Sequence, residues 1–337
     1  MTLFLRKLVW VLGVALLCTT VAGTPHGATA EGKTVIRYAT LAPSQSTFGK
    51  VLKAWSRSLS KETDGRVELR YYSGGSQGDE RDFIRKIRAG QMDAAGVTAT
   101  GLGIIVRPVL VLSSPGLIET YEELERVRAT LTPRFDEMFR EAGFELLACA
   151  DAGKGLIMST RPIRRPADLR SARPWVWKDD PIFREFLKVV GANGVRLGVP
   201  EVYGALQTQM VDVVPASAIG AVALQWYTKL NYMSKDSFGI VMGASIVKKE
   251  KFDQLSPEDQ RVLKDTAARA GRALDSVVRR DDAEAFNVLI KRGIELVDTA
   301  PHRSEWEAAA AETRTRLTGR IFSKSLLLEA EAAAKGP

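Results

Sequence analysis

Short β-rich runs and amphipathic helical stretches alternate along the chain after residue 33. Proline or glycine bounds the runs, and the stretches between them carry apolar residues at helical spacing. This β-α-β-α-β order is typical of a mostly parallel sheet that is covered by helices. The predicted strands are residues 34–39, 67–72 and 92–98, and the predicted helices are residues 48–63 and 83–89.

A second segment repeats the alternation with bulkier residues. It contains a short Trp-Val-Trp strand at 175–177, and both indoles fall on one face because side chains alternate along a strand. A helix is predicted over 181–190 and ends at Gly191, and an extended apolar run follows at 239–247. The other predicted strands are residues 144–150, 155–159 and 211–214, and a further helix is predicted over residues 200–209.

One long helix is predicted near the C-terminus. Ser256 supplies a hydroxyl cap, Pro257 takes the first helical position, and two acidic residues follow in the first turn. An apolar stripe then continues to about Arg292, and only Gly271 interrupts it. Roughly 36 residues at about 1.5 Å each make a rod of about 54 Å, which is longer than one α/β lobe of this size. Since 337 residues suffice for two lobes or one large domain, we expect the helix to cross both lobes, with a kink near Gly271 as the alternative.

The N-terminus has the pattern of a signal peptide. Two basic residues precede a nearly uninterrupted apolar run over 8–22, and Ala-Thr-Ala at 28–30 matches an A-x-A cleavage site. The run is short for a membrane span, and no stop-transfer charges follow it. We therefore expect residues 1–30 to be removed after about Ala30 and the mature chain to reach the periplasm, with lipid attachment at Cys18 as a weaker alternative.

The composition excludes several function classes. The 48 Lys and Arg residues are interspersed with 40 Asp and Glu residues, without the basic stripe of a nucleic-acid-binding protein. After export the chain would carry one cysteine, Cys149, and one histidine, His302, and it has no metal, redox or acyl-transfer motif. A Walker A pattern at 27–34 precedes a strand, so it lacks the helix N-terminus that would cradle phosphate. We therefore expect no catalysis, no cofactor and no nucleic-acid partner.

Several further stretches are informative when they are taken together. The most specific is Glu-Val-Tyr-Gly-Ala-Leu-Gln at 201–207, which Val-Asp at 211–212 follows. The others are Thr-Asp-Gly-Arg-Val at 63–67, Gln-Gly-Asp-Glu at 77–80, Ile-Arg-Ala-Gly-Gln-Met-Asp at 87–93, Thr-Arg-Pro-Ile at 160–163 and Pro-Ala-Asp-Leu at 166–169. On these stretches, residues 33–325 resemble the extracytoplasmic solute-binding proteins of the tripartite ATP-independent periplasmic (TRAP) transporters, of the DctP type.

The resemblance implies a two-lobed α/β fold of the periplasmic-binding-protein type (type II-like), with mixed sheets covered by helices. Such a protein captures a small molecule in the interlobe cleft, excludes water as the lobes close, and delivers the molecule to the membrane subunits of a TRAP permease. A tetratricopeptide-repeat protein is a further partner of some relatives with apolar clefts. The competing class is a ligand-sensing binding protein that docks on a receptor. The implied division is a signal peptide at 1–30, lobe I at 31–149, lobe II at 150–238, a return segment into lobe I at 239–256, a lobe-spanning helix at 257–292 and a C-terminal helical segment at 293–337.

Two departures from the family pattern concern the ligand. Most relatives carry an arginine for a substrate carboxylate in a strand that reads L-K-G-x-K-x-R-V, and Trp175 takes that arginine position here. Ala216 replaces the asparagine of the usual G-Q-E-N-P. A carboxylate left without a cation would cost several kcal/mol of desolvation, so we expect an apolar or amphipathic ligand. The alternative is an organic or sugar acid that Arg173 anchors through a two-residue register slip at Pro174.

The remaining candidate ligand-binding residues lie mainly at strand ends, where sheets of this kind present ligand-facing groups. Trp177 shares a strand face with Trp175, so it either forms part of the cleft wall or packs inside the lobe. The other candidates are Leu41, Pro43, Thr98, Thr100, Tyr203, Ser217 and Met242.

Overall fold

The computed structural model describes residues 33–336, so the predicted signal peptide and Cys18 lie outside the described residues. The strands predicted at 34–39, 67–72 and 92–98 are confirmed to within two residues at each end. The strands are β1 (Thr34–Thr40), β2 (Val67–Tyr72), β3 (Ala94–Thr98), β4 (Phe144–Lys154), β5 (Leu156–Ser159), β6 (Trp175–Trp177), β7 (Val195–Leu197), β8 (Val213–Ala216), β9 (Tyr232–Ser234), β10 (Ile240–Lys248) and β11 (Glu295–Val297).

Five strands form the sheet of the first lobe, in the order β2-β1-β3-β10-β4. β1 pairs in parallel with β2 and with β3, whereas β10 is antiparallel to both of its neighbours, β3 and β4. The apolar run at 239–247 therefore returns the chain to the first lobe, because it supplies β10 between two strands from the N-terminal half.

Four strands form the sheet of the second lobe, in the order β11-β9-β5-β8, and β6 and β7 make a separate parallel pair. β8 begins at Val213 and not at the predicted residue 211. The reason lies in Asp212, whose backbone N–H donates to the carbonyl of Arg173 over 3.1 Å and whose carboxylate accepts from the backbone N–H of Arg173 over 2.6 Å. These bonds hold Asp212 in a connection to the start of β6.

The α-helices cover both sheets. One of them, over Tyr121–Glu141, is not among the predicted helices, because Pro133 lies inside it and proline is a helix-breaking signal. Its buried apolar side, which includes Leu131 and Phe135, packs into the core of the first lobe. The helices are α1 (Thr47–Glu62), α2 (Glu80–Arg88), α3 (Ala99–Ile105), α4 (Tyr121–Glu141), α5 (Pro181–Val190), α6 (Val199–Gln207), α7 (Ala218–Ala223), α8 (Lys249–Asp253), α9 (Pro257–Lys291), α10 (Arg303–Leu317) and α11 (Lys324–Lys335).

The long helix α9 contacts both lobes, as its length predicts. In the first lobe, the indole N–H of Trp55 donates to the hydroxyl of Thr266 over 3.0 Å. In the second lobe, the carboxylate of Asp282 accepts the backbone N–H of Ile219 over 2.9 Å. Gly271 is explained by close packing, because a Cβ there would lie 2.9 Å from the carbonyl oxygen of Cys149 in β4.

The helices of the C-terminal segment pack against both lobes. α10 places Trp306 in an apolar cluster of the second lobe, whereas α11 packs against α4 of the first. In residues 33–336, no helix combines the length and apolar character that a membrane crossing requires.

Candidate ligand-binding cleft

A cavity of about 750 Å³ lies between the two lobes, and residues of both lobes line it. This volume falls within the range of roughly 300–1,000 Å³ that is typical of ligand pockets. We call it the cleft cavity. Nine of the eleven candidate residues line it, namely Leu41, Pro43, Thr98, Thr100, Trp175, Trp177, Ala216, Ser217 and Met242.

Three indoles form one wall of the cleft cavity, which we call the tryptophan wall. The ring of Trp175 lies 5.8 Å from that of Trp177 and 5.3 Å, edge to face, from that of Trp226. Trp175 is only 4% exposed, and its indole N–H donates to the carbonyl of Leu197 over 2.9 Å. Because this polar group is already satisfied, Trp175 offers the cavity an apolar ring surface.

Arg173 and Tyr203 do not line the cleft cavity. The guanidinium of Arg173 is about half exposed and faces Asp212, with 3.3 Å between Nε and Oδ2. The parallel register of β6 with β7 places Trp175 opposite Val195. Arg173 as the anchor of an organic or sugar acid stays a prediction, although its guanidinium lies outside the lining of the cleft cavity. Tyr203 instead packs against the second-lobe core.

Acidic side chains outnumber basic ones in the lining. Among the described residues that line the cleft cavity, Arg303 is the one basic side chain, and it is 66% exposed. Its guanidinium is already paired, with Glu307 at 2.8 Å and with Glu119 at 3.4 Å. The acidic lining residues are Glu80, Glu119, Asp151, Asp180, Asp236 and Glu307.

Two arginines close to the cavity are also paired. They hold the carboxylate of Asp151, which is almost completely buried: Arg128 Nη2 lies 2.5 Å from one oxygen and Arg279 Nε lies 2.7 Å from the other. The backbone N–H of Asp151 donates to Asp275 over 2.6 Å, and burial raises the pKa of Asp275 to about 6. Because Arg128 lies on α4, Asp151 on β4 and Arg279 on α9, the two arginines hold these three elements together through Asp151.

Thr98 and Glu80 form a polar corner of the cleft cavity. Thr98 caps α3, and its hydroxyl accepts from the backbone N–H of Thr100 over 3.3 Å. Its backbone N–H and hydroxyl both bond to the carboxyl group of Glu80, at 2.7 and 3.0 Å. Burial raises the pKa of Glu80 to about 8, although the bonds from Thr98 oppose this rise. Burial therefore lets Glu80 keep its proton to a higher pH than an exposed glutamate would.

A second aromatic cluster, which no sequence pattern indicated, also lines the cleft cavity. It consists of Phe183 and Phe186 on α5, Phe238 before β10, and Trp306 on α10. These positions are separated by up to 123 residues, and nothing in their local sequence distinguishes them from ordinary core residues. Within residues 33–336, no group of three or more His, Cys, Asp or Glu side chains is placed to hold a metal ion.

Comparison with known proteins identifies the family of this chain. Residues 38–318 match the DctP family, described as "Bacterial extracellular solute-binding protein, family 7". A solute-binding protein of Chromohalobacter salexigens is 25% identical over 226 residues, which are 66% of this chain and 67% of the relative. The 2,3-diketo-L-gulonate-binding periplasmic protein of Escherichia coli (strain K12) is 21% identical over 283 residues, which are 82% and 85% of the two chains.

Solved structures share the fold. A TRAP periplasmic solute-binding protein from C. salexigens, with bound D-glucuronate, has a TM-score of 0.83 at 21% identity and covers 88% of this chain and 99% of its own. The sugar acid binding protein of Advenella mimigardefordensis, in complex with galactonate, has a TM-score of 0.85 at 19% identity, with 90% and 98% covered. The expected two-lobed α/β fold is thus confirmed. The chain belongs to the DctP family of bacterial extracellular solute-binding proteins, which are non-enzymatic components of TRAP transport.

Proposed function

We propose that this protein captures a small molecule in the periplasm and hands it to the membrane subunits of a TRAP permease. Family membership supports the transport role, and the cleft cavity shared by the two lobes supports capture by closure. Relatives named as periplasmic proteins, together with the predicted signal peptide, support the location.

The ligand that the geometry favours is uncharged or amphipathic. The observation that carries this proposal is the charge of the lining, where Arg303 is the one basic side chain among the described residues and is already bound to two carboxylates. A buried carboxylate without a cation loses its hydration and gains no compensating charge. Trp175, at the position where most relatives carry the anchoring arginine, presents an apolar surface instead.

A carboxylate ligand is the second candidate, and the comparisons support it better than they support an apolar ligand. The structures similar to this chain bind glucuronate, galacturonate, galactonate and pyroglutamic acid. For such a ligand Arg303 is the better placed cation, because of these two arginines Arg303 lines the cleft cavity and Arg173 does not. Binding would then have to break the ion pairs of Arg303 with Glu119 and Glu307.

Mass spectrometry of small molecules that co-purify with the folded protein tests the ligand class directly. An uncharged or amphipathic molecule supports the first candidate, whereas a sugar acid or dicarboxylate refutes it. Calorimetry with D-glucuronate should then show binding that Arg303→Gln abolishes and that Arg173→Gln, the control variant, leaves unchanged.

The partner is tested by reconstitution. With the permease subunits in liposomes, uptake of the identified ligand should depend on this protein. A ligand that reaches no permease but activates a receptor would support the competing sensory role. A tetratricopeptide-repeat partner remains a proposal, and binding of such a protein to the ligand-loaded form would support it.

A further inference from the structure

One part of the cleft cavity differs from the tryptophan wall. Phe183, Phe186, Phe238 and Trp306 line the cleft cavity, as does Ser114, and we call the part that these residues form the α10 compartment. The Phe186 ring is nearly parallel to its two neighbours, at 11° and 6.0 Å from Phe183 and at 2° and 6.0 Å from Trp306. Phe238 lies 4.6 Å from Trp306. These rings form an aromatic ladder with faces or edges toward the cavity.

The ladder is apolar toward the cavity. The indole N–H of Trp306 donates to the backbone carbonyl of Arg164 over 3.0 Å, so the polar atom of this ring is satisfied within the protein. Phe183 and Phe238 are only partly buried, so they keep surface that a ligand can cover. A ligand that covers these rings is stabilised because apolar surface is removed from water. A ring of the ligand that contacts the rings of the protein adds a further favourable interaction.

Ser114 is the polar exception in the α10 compartment. The residue is 5% exposed, it lines the cavity, and among the described residues its hydroxyl oxygen has no hydrogen-bond partner. A buried hydroxyl without a partner is unfavourable, and buried polar groups in proteins are nearly always paired. A ligand with a matching polar group would remove this cost.

Elements of both lobes enclose the compartment. The segment that carries Ser114 lies against α10, where Arg314 donates to the carbonyl of Pro115. A short distance along the same elements, Arg303 of α10 pairs with Glu119. A group bound between these elements is shielded from water, which strengthens both the apolar contact and a hydrogen bond to Ser114.

We propose that the α10 compartment is a binding subsite for an aromatic or alicyclic ring that carries one hydroxyl or carbonyl group, and that this group forms a hydrogen bond with Ser114 Oγ. The inference rests on the uncharged or amphipathic ligand class proposed above and narrows it. The rest of such a ligand extends along the tryptophan wall, because both surfaces belong to the same cavity of about 750 Å³.

Two probes of similar shape test the polar contact. 2-Naphthol carries a hydroxyl group where 2-methylnaphthalene carries a methyl group, and tryptophan fluorescence or calorimetry reports the binding of each. We expect the purified protein to prefer 2-naphthol by about five-fold, the size of one neutral hydrogen bond. Ser114→Ala should remove this preference, whereas Ser113→Ala, at the adjacent and less buried hydroxyl, should keep it.

A filling variant tests the location. Ala310 lies on α10 and lines the cavity, so Ala310→Phe should occupy the compartment and weaken both probes by about ten-fold or more. Ala308→Phe adds the same ring at an exposed position of the same helix and should leave binding unchanged. Thermal unfolding of each variant verifies the fold, and Ser114→Ala still decides the outcome if Ala310→Phe does not fold.

Each remaining outcome overturns the inference in a distinguishable way. If 2-naphthol binds and only Trp177→Ala weakens it, the ligand class stands and the subsite is refuted. If preference for 2-naphthol survives Ser114→Ala, or Ser113→Ala removes it equally, the role of Ser114 is refuted. If neither probe binds, the inference fails, and binding of D-glucuronate in their place would refute the proposed ligand class as well.

Discussion

Trp177 in the second lobe donates its indole N–H to a carboxylate oxygen of Asp79 in the first lobe, over 2.7 Å. The other oxygen of Asp79 accepts the backbone N–H of Glu80 at the start of α2, over 2.9 Å. Two residues further along each segment, the guanidinium of Arg81 binds both carboxylate oxygens of Asp179. The two lobes are therefore joined by a pair of charge-assisted contacts at one edge of the cleft.

Loss of the Trp177–Asp79 bond should destabilise the conformation in which these two segments of the lobes are in contact. Trp177→Phe keeps an aromatic ring but removes the N–H group that donates to Asp79. Burial raises the pKa of Asp79, and the bond from Trp177 opposes this rise, so the variant also loses a contact that favours the charged carboxylate. A hydrogen bond to a charged group contributes about 1.5–3 kcal/mol, so ligand dissociation should accelerate by about ten-fold or more. Stopped-flow measurement of the dissociation rate of the co-purified ligand checks this expectation.

A double-mutant cycle separates this bond from general effects of the substitutions. Asp79→Ala combined with Trp177→Phe should cost less than the sum of the two single variants, because each removes the same bond. Trp226→Phe, in the same tryptophan wall but without this bond, serves as the control. Strictly additive single effects would show that the two side chains do not cooperate in closure.

The protonation of Glu80 should make the free energy of unfolding depend on pH. Its pKa is about 8 in the folded protein, against an ordinary value of 4.5. Between these values the folded protein holds a proton that the unfolded chain has released, so the free energy of unfolding falls as the pH rises through this window. Glu80→Gln carries no titratable proton and should flatten that slope, so its stability relative to the unmodified protein should increase from pH 5 to pH 8.

Urea unfolding at several pH values measures this difference. Glu284→Gln, at an exposed position of α9, provides the control and should leave the slope unchanged. If the relative stability of Glu80→Gln does not vary between pH 5 and pH 8, the carboxyl group of Glu80 is ionised in the folded protein and its pKa is not raised.

Two glycine substitutions inside helices should have opposite effects. Gly271→Ala would place a Cβ 2.9 Å from a backbone oxygen of β4, and such overpacking typically costs about 1–3 kcal/mol. Gly204, inside α6, has no atom within 4 Å of an added Cβ, so Gly204→Ala should stabilise the protein by up to about 1 kcal/mol. Chemical unfolding of both variants measures the two changes, and equal changes would contradict the close approach of α9 to β4.

The thiol of Cys149 should react slowly in the folded protein. Burial raises its pKa to about 11, and the thiolate is the reactive form, so at pH 8 only about one thiol in a thousand is ionised. Iodoacetamide should therefore modify Cys149 much more slowly in the folded protein than in guanidinium chloride. A mass-spectrometric time course under both conditions checks this, and equal rates would show that the thiol is accessible and unshifted.

Much of the fold could be predicted from the local sequence. The helix over 181–190 and the strand at 175–177 match the structure residue for residue. The long helix was predicted to within one residue, because a hydroxyl cap, proline and a continuous stripe mark its start and course. α4 was missed, because its apolar contacts within the first lobe outweigh the local signal of Pro133.

The sequence by itself determined the long helix and most of the strands, and through its resemblance to the DctP-type proteins it indicated the two-lobed α/β fold and the family. The helix and the strands follow from periodicity and capping, and the resemblance follows from short motifs, all of which involve a few neighbouring residues. Only the tertiary structure decided that Arg173 faces Asp212, that Glu80 is buried against Thr98, and that Ser114 lines the same cavity as rings from α5, α10 and the segment before β10. Burial, pairing and pKa depend on which distant segments come together, and no local pattern encodes those contacts.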